Sequence, residues 1–148
     1  AYSEHLEAGK RYKIGYLKET IDNEALNSEV KAAFARQIDE LRVQGHQVEE
    51  ISFPLMEYTL PTYYILTTAE ASSNLSRYDG VRYGHRTTEA GNLEEMYKKS
   101  RSEGFGEEVI KRILLGTAVL SASYHDAYYI KAQKARRMIQ NELNELLE

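Results

Sequence analysis

Two strand-like segments separated by one helical segment are the feature that most constrains this fold. The segment YKIGYL, residues 12–17, alternates in the way that a short strand does. The segment HQVEEISFP, residues 46–54, predicts a second strand that contains Val48, Ile51 and Phe53. Because a single helix links the two, we predict a βαβ unit with parallel strands and a right-handed crossover.

The linking segment is predicted to be an amphipathic helix. Either Asn27 or Ser28 can cap its start, and Gly45 is expected to stop it. Its apolar residues recur at helical spacing and form one stripe, which comprises Val30, Phe34, Ile38 and Leu41.

Only helices are predicted after Pro54. The first has Pro61 in its first turn, is rich in small residues around Ser72 and Ser73, and ends at Gly80. The next three cover a charged, an almost wholly apolar and an amphipathic segment: residues 92–102, 106–122 and 125–148. The apolar segment predicts a buried helix.

The pattern is that of an α/β protein that lacks part of its sheet. Two parallel strands rarely form a stable sheet, because parallel sheets are covered on both faces and usually have more strands. The last helical pattern also continues to Glu148 with no glycine, proline or cap. We therefore expect a piece of a larger protein; the alternative is a compact α+β domain with a small sheet.

Composition excludes several classes of function. The chain has no cysteine, which rules out disulfides, thiol nucleophiles and thiolate metal sites, and fits a cytoplasmic protein. A net charge of −4, with both signs mixed along the chain, argues against a dedicated nucleic-acid binder. No apolar run is long enough to span a membrane, and AYSEHLEAGKRYK has no signal-peptide core. We expect no membrane partner.

The sequence carries no persuasive motif for catalysis or metal binding. The four histidines lack metal-ligand spacing, and there is no glycine-rich phosphate loop. Ser28 stands three residues before Lys31, but serine at a helix start is more often a cap. Ser72 and Ser73 lack a setting that would expose a nucleophile, and small residues there favour the close approach of a neighbouring helix. We therefore predict no catalytic residue and no metal site within this chain.

Arg112 is the residue with two open interpretations. It lies among apolar residues of the predicted buried helix, where a guanidinium could grip a carboxylate bidentately. It also follows Glu108 at the spacing of a helical ion pair, which alone accounts for it. Tyr63 and Tyr64 could line the same pocket, although tyrosines at a helix start are more often packing residues.

The stretch SNLSRYDGVRYGHR, residues 73–86, interleaves arginines with tyrosines and glycines. It suits an anion or substrate grip, a nucleic-acid patch, or a helix end fixed to the rest of a protein. The pattern does not indicate the partners of Arg77, Arg82 and Arg86.

Three segments carry a resemblance to a known family. SNLSRYDGVRYGHR, SRSEGFGEEVIKRILLGT and YHDAYYIKAQKAR resemble the A subunits of glutamyl-tRNA(Gln) amidotransferases, which are members of the amidase signature family. The similarity runs from about Tyr12 to about Leu143. It implies a fold with a large mixed sheet sandwiched by helices. Residues 1–148 would then be a single partial domain from its carboxy-terminal half, without the catalytic serine and lysine region.

The resemblance also implies a function for the whole protein. Such subunits release ammonia from glutamine, and a partner subunit uses it to convert Glu-tRNA(Gln) to Gln-tRNA(Gln). The implied partners are glutamine, the B and C subunits and the tRNA; ATP and magnesium are used by the partner subunit, and this segment needs no cofactor. Another amidase signature hydrolase and a non-catalytic interaction module are the alternatives, and activity on Asp-tRNA(Asn) is left open.

Two substrate residues of the family match positions in this chain. The first tyrosine of PTYY is Tyr63, and the arginine of IKRI is Arg112, which resembles the arginine that holds the glutamine carboxylate. The chain departs from the family at Ile110, where a basic residue is common, and at His125, where a tyrosine is common. Neither departure affects Tyr63 or Arg112.

Overall fold

The two predicted strands form a parallel pair in the computed structural model, which describes residues 9–148. Strand β1 is Lys13–Leu17 and strand β2 is Gln47–Ile51, with Ile14 opposite Val48. The prediction of two parallel strands is thus confirmed. Phe53, which was predicted within the second strand, lies beyond its end and is buried.

Two helices connect the strands. Helix α1 is Lys18–Ile21 and helix α2 is Ser28–Val43. The predicted cap of α2 is confirmed, because the Asn27 side chain accepts hydrogen bonds from the backbone N–H groups of Glu29 and Val30. The short helix α1 was not predicted. It places Glu19 so that its Oε1 accepts hydrogen bonds from Ser52 Oγ, at 2.6 Å, and from the backbone N of Phe53, at 2.8 Å.

The apolar stripe of α2 is only partly covered. The ring of Phe34 meets the edge of Tyr16 on β1, with 5.8 Å between ring centroids. Val30, one turn earlier, is 54% exposed, and no residue of α2 is fully buried. The amphipathic pattern therefore predicted the helix correctly, and much of its apolar face is open in this chain.

The chain forms two compact units, of which the first runs to Met56 and includes Leu146–Glu148, and the second is Glu57–Glu145. The remaining helices are, in chain order, α3 (Met56–Leu75), α4 (Leu93–Gly104), α5 (Glu107–Leu120), a π-helical turn (His125–Tyr129) and α6 (Ile130–Leu147). This order confirms the predicted α/β class, a βαβ unit followed by several helices. The π-helical turn was not predicted.

Helix α3 differs from its prediction at both ends. It begins at Met56, so Pro61 lies inside it and Tyr63 and Tyr64 are not in its first turn. A proline there removes one backbone hydrogen bond, a cost that the longer helix tolerates. The helix ends at Leu75 and not at Gly80, because hydrogen bonds of shorter span take over: Tyr78 N donates to the carbonyl of Leu75.

Helices α3 and α5 cross at very close range. A Cβ atom added to Gly116 would lie 1.9 Å from the carbonyl oxygen of Thr68. Next to this point the hydroxyls of Ser72 and Thr117 are 2.8 Å apart. The small residues of α3 thus admit a neighbouring helix, as the sequence indicated.

The prediction that α5 is buried is wrong for this chain. Gly116 and Val119 are buried, but Leu114 is 65% and Leu115 48% exposed. An apolar helix is buried only where another surface covers each face, and in the described residues nothing covers the face that carries these leucines. Within residues 9–148, no helix has both the length and the hydrophobicity to cross a membrane.

Candidate substrate-binding site

Arg112 lies on α5 and is held by one carboxylate. Its Nη1 is 3.0 Å from Oε1 of Glu108, one helical turn earlier, and its side chain is 42% exposed. The ion pair that the spacing predicted is therefore present. No other partner of this guanidinium lies within residues 9–148, so most of its N–H donors remain open to a ligand.

Tyr63 and Tyr64 lie side by side on α3. Their rings meet edge to face with 5.5 Å between centroids, and both are largely exposed. The carbonyl oxygen of Tyr63 accepts a hydrogen bond from Thr67 Oγ1, which is a contact within the helix. In the described part of the chain neither tyrosine is joined to Arg112 by a hydrogen bond or a ring contact.

Helical spacing relates these residues to the α3–α5 crossing. Tyr64 precedes Thr68 by four residues, and Arg112 precedes Gly116 by four. Residues four apart share a helix face about one turn from each other, so both lie on the faces that cross. Tyr63 is the preceding residue on α3, so it is offset around the helix from Tyr64, and its ring contacts that of Tyr64.

The stretch of interleaved arginines and tyrosines forms the end of α3 and a fixed loop. Asp79 Oδ1 accepts hydrogen bonds from the backbone N of Val81, at 2.8 Å, and of Arg82, at 3.2 Å. These bonds to the carboxylate hold the pKa of Asp79 below its usual value. Gly80 has a φ of +78° and sits against Ser100 of α4, where a Cβ would lie 2.6 Å from the serine side chain.

One carboxylate of α4 fastens the far end of this loop. Glu103 Oε2 is 2.6 Å from His85 Nε2, and its Oε1 accepts a hydrogen bond from Thr87 Oγ1 at 2.9 Å. The hydrogen bond from His85 is the largest cause that holds the pKa of Glu103 below its usual value, followed by that from Thr87. The backbone N of Thr87 also donates to Ser100 Oγ.

Arg101 of α4 fastens the near end. Its Nη1 donates to the carbonyl oxygens of Leu75, at 3.1 Å, and Tyr78, at 2.9 Å. The guanidinium also lies 5.0 Å from the ring centroid of Phe105. The loop is therefore attached to α4 at both ends.

The sequence did not predict the roles of Arg101 and Glu103. Both lie in the SRSEGFG motif, which is part of a segment that carries the family resemblance. An arginine in the last turn of a helix is weak evidence for a specific contact. Basic residues are favoured in the last turn whether or not their side chains contact another segment. The contacts join residues that are far apart in sequence, and no local pattern predicts such contacts.

The described residues contain no assembled nucleophile. Thr117 Oγ1 donates to the carbonyl of Ile113, so Ser72 donates to Thr117 and is used in helix packing. Within residues 9–148, neither Ser72 nor Ser73 is hydrogen-bonded to a histidine or lysine. In the same residues no group of three or more histidine, aspartate or glutamate side chains is placed to hold a metal ion.

The chain is similar to known proteins over almost all of its length. The model of the Amidase family matches residues 1–148. The A subunit of glutamyl-tRNA(Gln) amidotransferase from Koribacter versatilis is 54% identical over 90% of this chain and 28% of its own length. The corresponding protein of Nitratiruptor is 52% identical over 94% of this chain and 31% of its own length.

A solved structure shows the same relationship in three dimensions. The crystal structure of the glutamyl-tRNA(Gln) amidotransferase A subunit from Thermotoga maritima matches with a TM-score of 0.54 and 34% identity. The match covers 94% of this chain and 25% of that one, so the chain spans less than a third of the length of these relatives. The chain belongs to the Amidase family.

Proposed function

We propose that this chain is part of the A subunit of a glutamyl-tRNA(Gln) amidotransferase and that it supplies substrate-pocket residues for glutamine hydrolysis. The observation that carries the proposal is the identity of 52–54% to proteins of that name over at least 90% of the chain. The segments that carry the family resemblance, residues 73–86 and 100–117, support the same assignment.

Arg112 would hold the α-carboxylate of glutamine. Its planar guanidinium can pair bidentately with a carboxylate, which gives both charge neutralisation and a fixed orientation. The ion pair with Glu108 uses one edge of the guanidinium and restricts its rotation. Tyr63, in contact with Tyr64, would form a wall of the same pocket. This assignment is supported by the family resemblance and by the half-exposed position of Arg112.

The other components lie outside this chain. The nucleophilic serine and the lysine that activates it would come from the remainder of the protein. The released ammonia would pass to the B subunit, which uses ATP and magnesium to amidate Glu-tRNA(Gln), and the C subunit would complete the complex. On this proposal, the 148 residues alone neither hydrolyse glutamine nor need a cofactor.

Ammonia release tests the proposal. The full-length protein, reconstituted with its partner subunits, is expected to release ammonia from glutamine and to amidate Glu-tRNA(Gln). The isolated chain is expected to release none above a denatured control, because it has no assembled nucleophile. If the full-length protein hydrolyses unrelated amides but not glutamine, it is another kind of amidase. If the isolated chain hydrolyses glutamine, the division of roles is wrong.

A further inference from the structure

The arginine loop, residues 77–86, has a feature that glutamine hydrolysis does not explain. Arg77, Arg82 and Arg86 are all exposed. Within residues 9–148, none of the three guanidinium groups has an ion-pair or hydrogen-bond partner. Three exposed arginines without such a partner therefore lie within the ten residues of this loop.

The backbone of this loop is held in place before any partner arrives. Asp79 organises its turn through two backbone N–H groups, and Arg101 binds the carbonyl of Tyr78. His85 is tied to Glu103 of α4 at 2.6 Å. A surface whose backbone is already fixed loses less conformational entropy when it binds. The arginines are thus presented from a preorganised turn.

Within residues 77–86, three arginines are accompanied by a single acidic residue, so positive charge is in excess. That residue is Asp79, whose carboxylate accepts hydrogen bonds from two backbone N–H groups and also attracts the charge of Arg82 without forming an ion pair with it. Apolar and aromatic surface lies among the arginines, since Tyr83 is 58% and Val81 46% exposed. Arginine and tyrosine are the residues most enriched at the energetic centres of protein interfaces.

We propose that the arginine loop docks onto an acidic surface of a partner subunit. This inference rests on the proposed function, which makes the protein one member of a complex. Carboxylates suit the loop because the planar guanidinium pairs with them bidentately. An RNA backbone suits it less, since the chain carries a net charge of −4 and RNA-binding domains present an extended basic face.

A groove next to Arg86 gives the partner a second point of attachment. It has a volume of about 460 Å³ and lies between the end of the loop and the start of α4. Leu93, on its wall, is 64% exposed, and Met96 lies deeper and is buried. A partner that places a carboxylate on Arg86 can thus bury an apolar side chain against Leu93.

The test uses the full-length protein and its partner subunits. Arg82→Ala and Arg86→Ala are compared with Arg36→Ala, a matched control on α2 where the arginine is also exposed and also lacks a partner in the described chain. The dissociation constant of the complex is measured at low and at high salt. The melting temperature of each full-length variant is measured without partners.

The two loop variants are expected to weaken association about tenfold or more, with a smaller salt dependence than the wild type. Arg36→Ala should associate like the wild type, and no variant should have a lower melting temperature in the absence of partner subunits.

Unchanged association of the two loop variants overturns the inference. So does a lower melting temperature of the isolated full-length protein, which would mean that its own remaining chain covers the loop. A loss confined to tRNA affinity would indicate RNA instead. A complex that assembles but releases no ammonia contradicts the proposed function and not the docking surface.

Discussion

Gly116 is the residue on which the contact between α3 and α5 depends most. A side chain at this position would overlap the carbonyl oxygen of Thr68, and a backbone carbonyl inside a helix cannot rotate away. The hydrogen bond between Ser72 and Thr117 lies next to this point and requires the same separation of the helices. The absence of a side chain therefore determines how closely the helices pack.

Gly116→Ala in the full-length protein is expected to lower stability by about 1–3 kcal/mol, because the helices must separate to admit a methyl group. The free energy lost by separating the helices should exceed the free energy gained from the higher helix propensity of alanine. Thermal or denaturant unfolding measures the change. Gly106→Ser is the control, since a Cβ at Gly106 meets nothing within 4 Å and serine is a good N-cap. If Gly116→Ala were as stable as the wild type, the distance between the two helices at Gly116 would have to be larger than the structure shows.

At the scale of elements, the arginine loop shows how a segment without regular structure is held. Glu103 joins it to α4 by accepting hydrogen bonds from His85 and Thr87. These bonds require the ionised carboxylate, which is why the pKa of Glu103 lies below its usual value. The attachment is therefore expected to depend on pH.

The sign of this dependence follows from linkage. A lowered pKa stabilises the attached loop fully above the ordinary glutamate pKa of about 4.3, and the contribution disappears as pH falls through the lowered value. Amide hydrogen exchange at Thr87 should therefore accelerate in that acidic range, after correction for intrinsic rates. Glu103→Gln should show faster exchange already at neutral pH. Identical exchange in both proteins across this range would mean that Glu103 does not hold the loop.

Local signals predicted some elements well and others not at all. The Asn27 cap and the apolar spacing of α2 are local, and the structure has both. Helix α1 is only four residues long, and Glu19 makes contacts with Ser52 and Phe53, which are distant in sequence. The start of α3 was misplaced because Pro61 favours a first turn but does not require one. The spacing of apolar residues does not indicate the π-helical turn.

The candidate site, like the secondary structure, was predictable where the signal is local and not where it depends on distant residues. The Arg112–Glu108 pair follows from helical spacing and is present. The proximity of Thr68 and Gly116 was foreseen only as a preference for small residues. No pattern within the chain specifies which ligand meets Arg112, because that depends on surfaces that these residues do not contain. The assignment of Tyr63 and Arg112 to glutamine therefore stays a proposal from resemblance.

At the scale of the whole molecule, the chain exposes several large apolar side chains. Its relatives are more than three times as long, and their additional residues could cover this surface. Val30 on α2 and Leu114 and Leu115 on α5 are between 48% and 65% exposed. The two strands also leave their outer edges unpaired within the described residues. Exposed apolar patches and open strand edges promote association.

The isolated 148-residue chain is therefore expected to self-associate and to bind a hydrophobic dye, and the full-length protein to do neither to the same extent. Sedimentation at several concentrations and dye fluorescence are the measurements. Leu114→Glu should reduce association of the isolated chain, and Glu107→Gln, on the exposed start of the same helix, should not. A monodisperse monomer that binds no dye at high concentration would mean that these surfaces are not adhesive.

Glutamine kinetics of Arg112→Lys in the reconstituted full-length complex test the central claim most directly. Lysine keeps the charge but lacks the planar fork, so the KM for glutamine should rise about ten- to a hundredfold. Amidation supported by free ammonia should be unchanged. The control is Lys111→Ala, which removes the neighbouring ion pair with Glu107, 2.8 Å long, and should leave both activities intact. If Arg112→Lys has the wild-type KM for glutamine, Arg112 is only a partner of Glu108 and the proposed site is wrong.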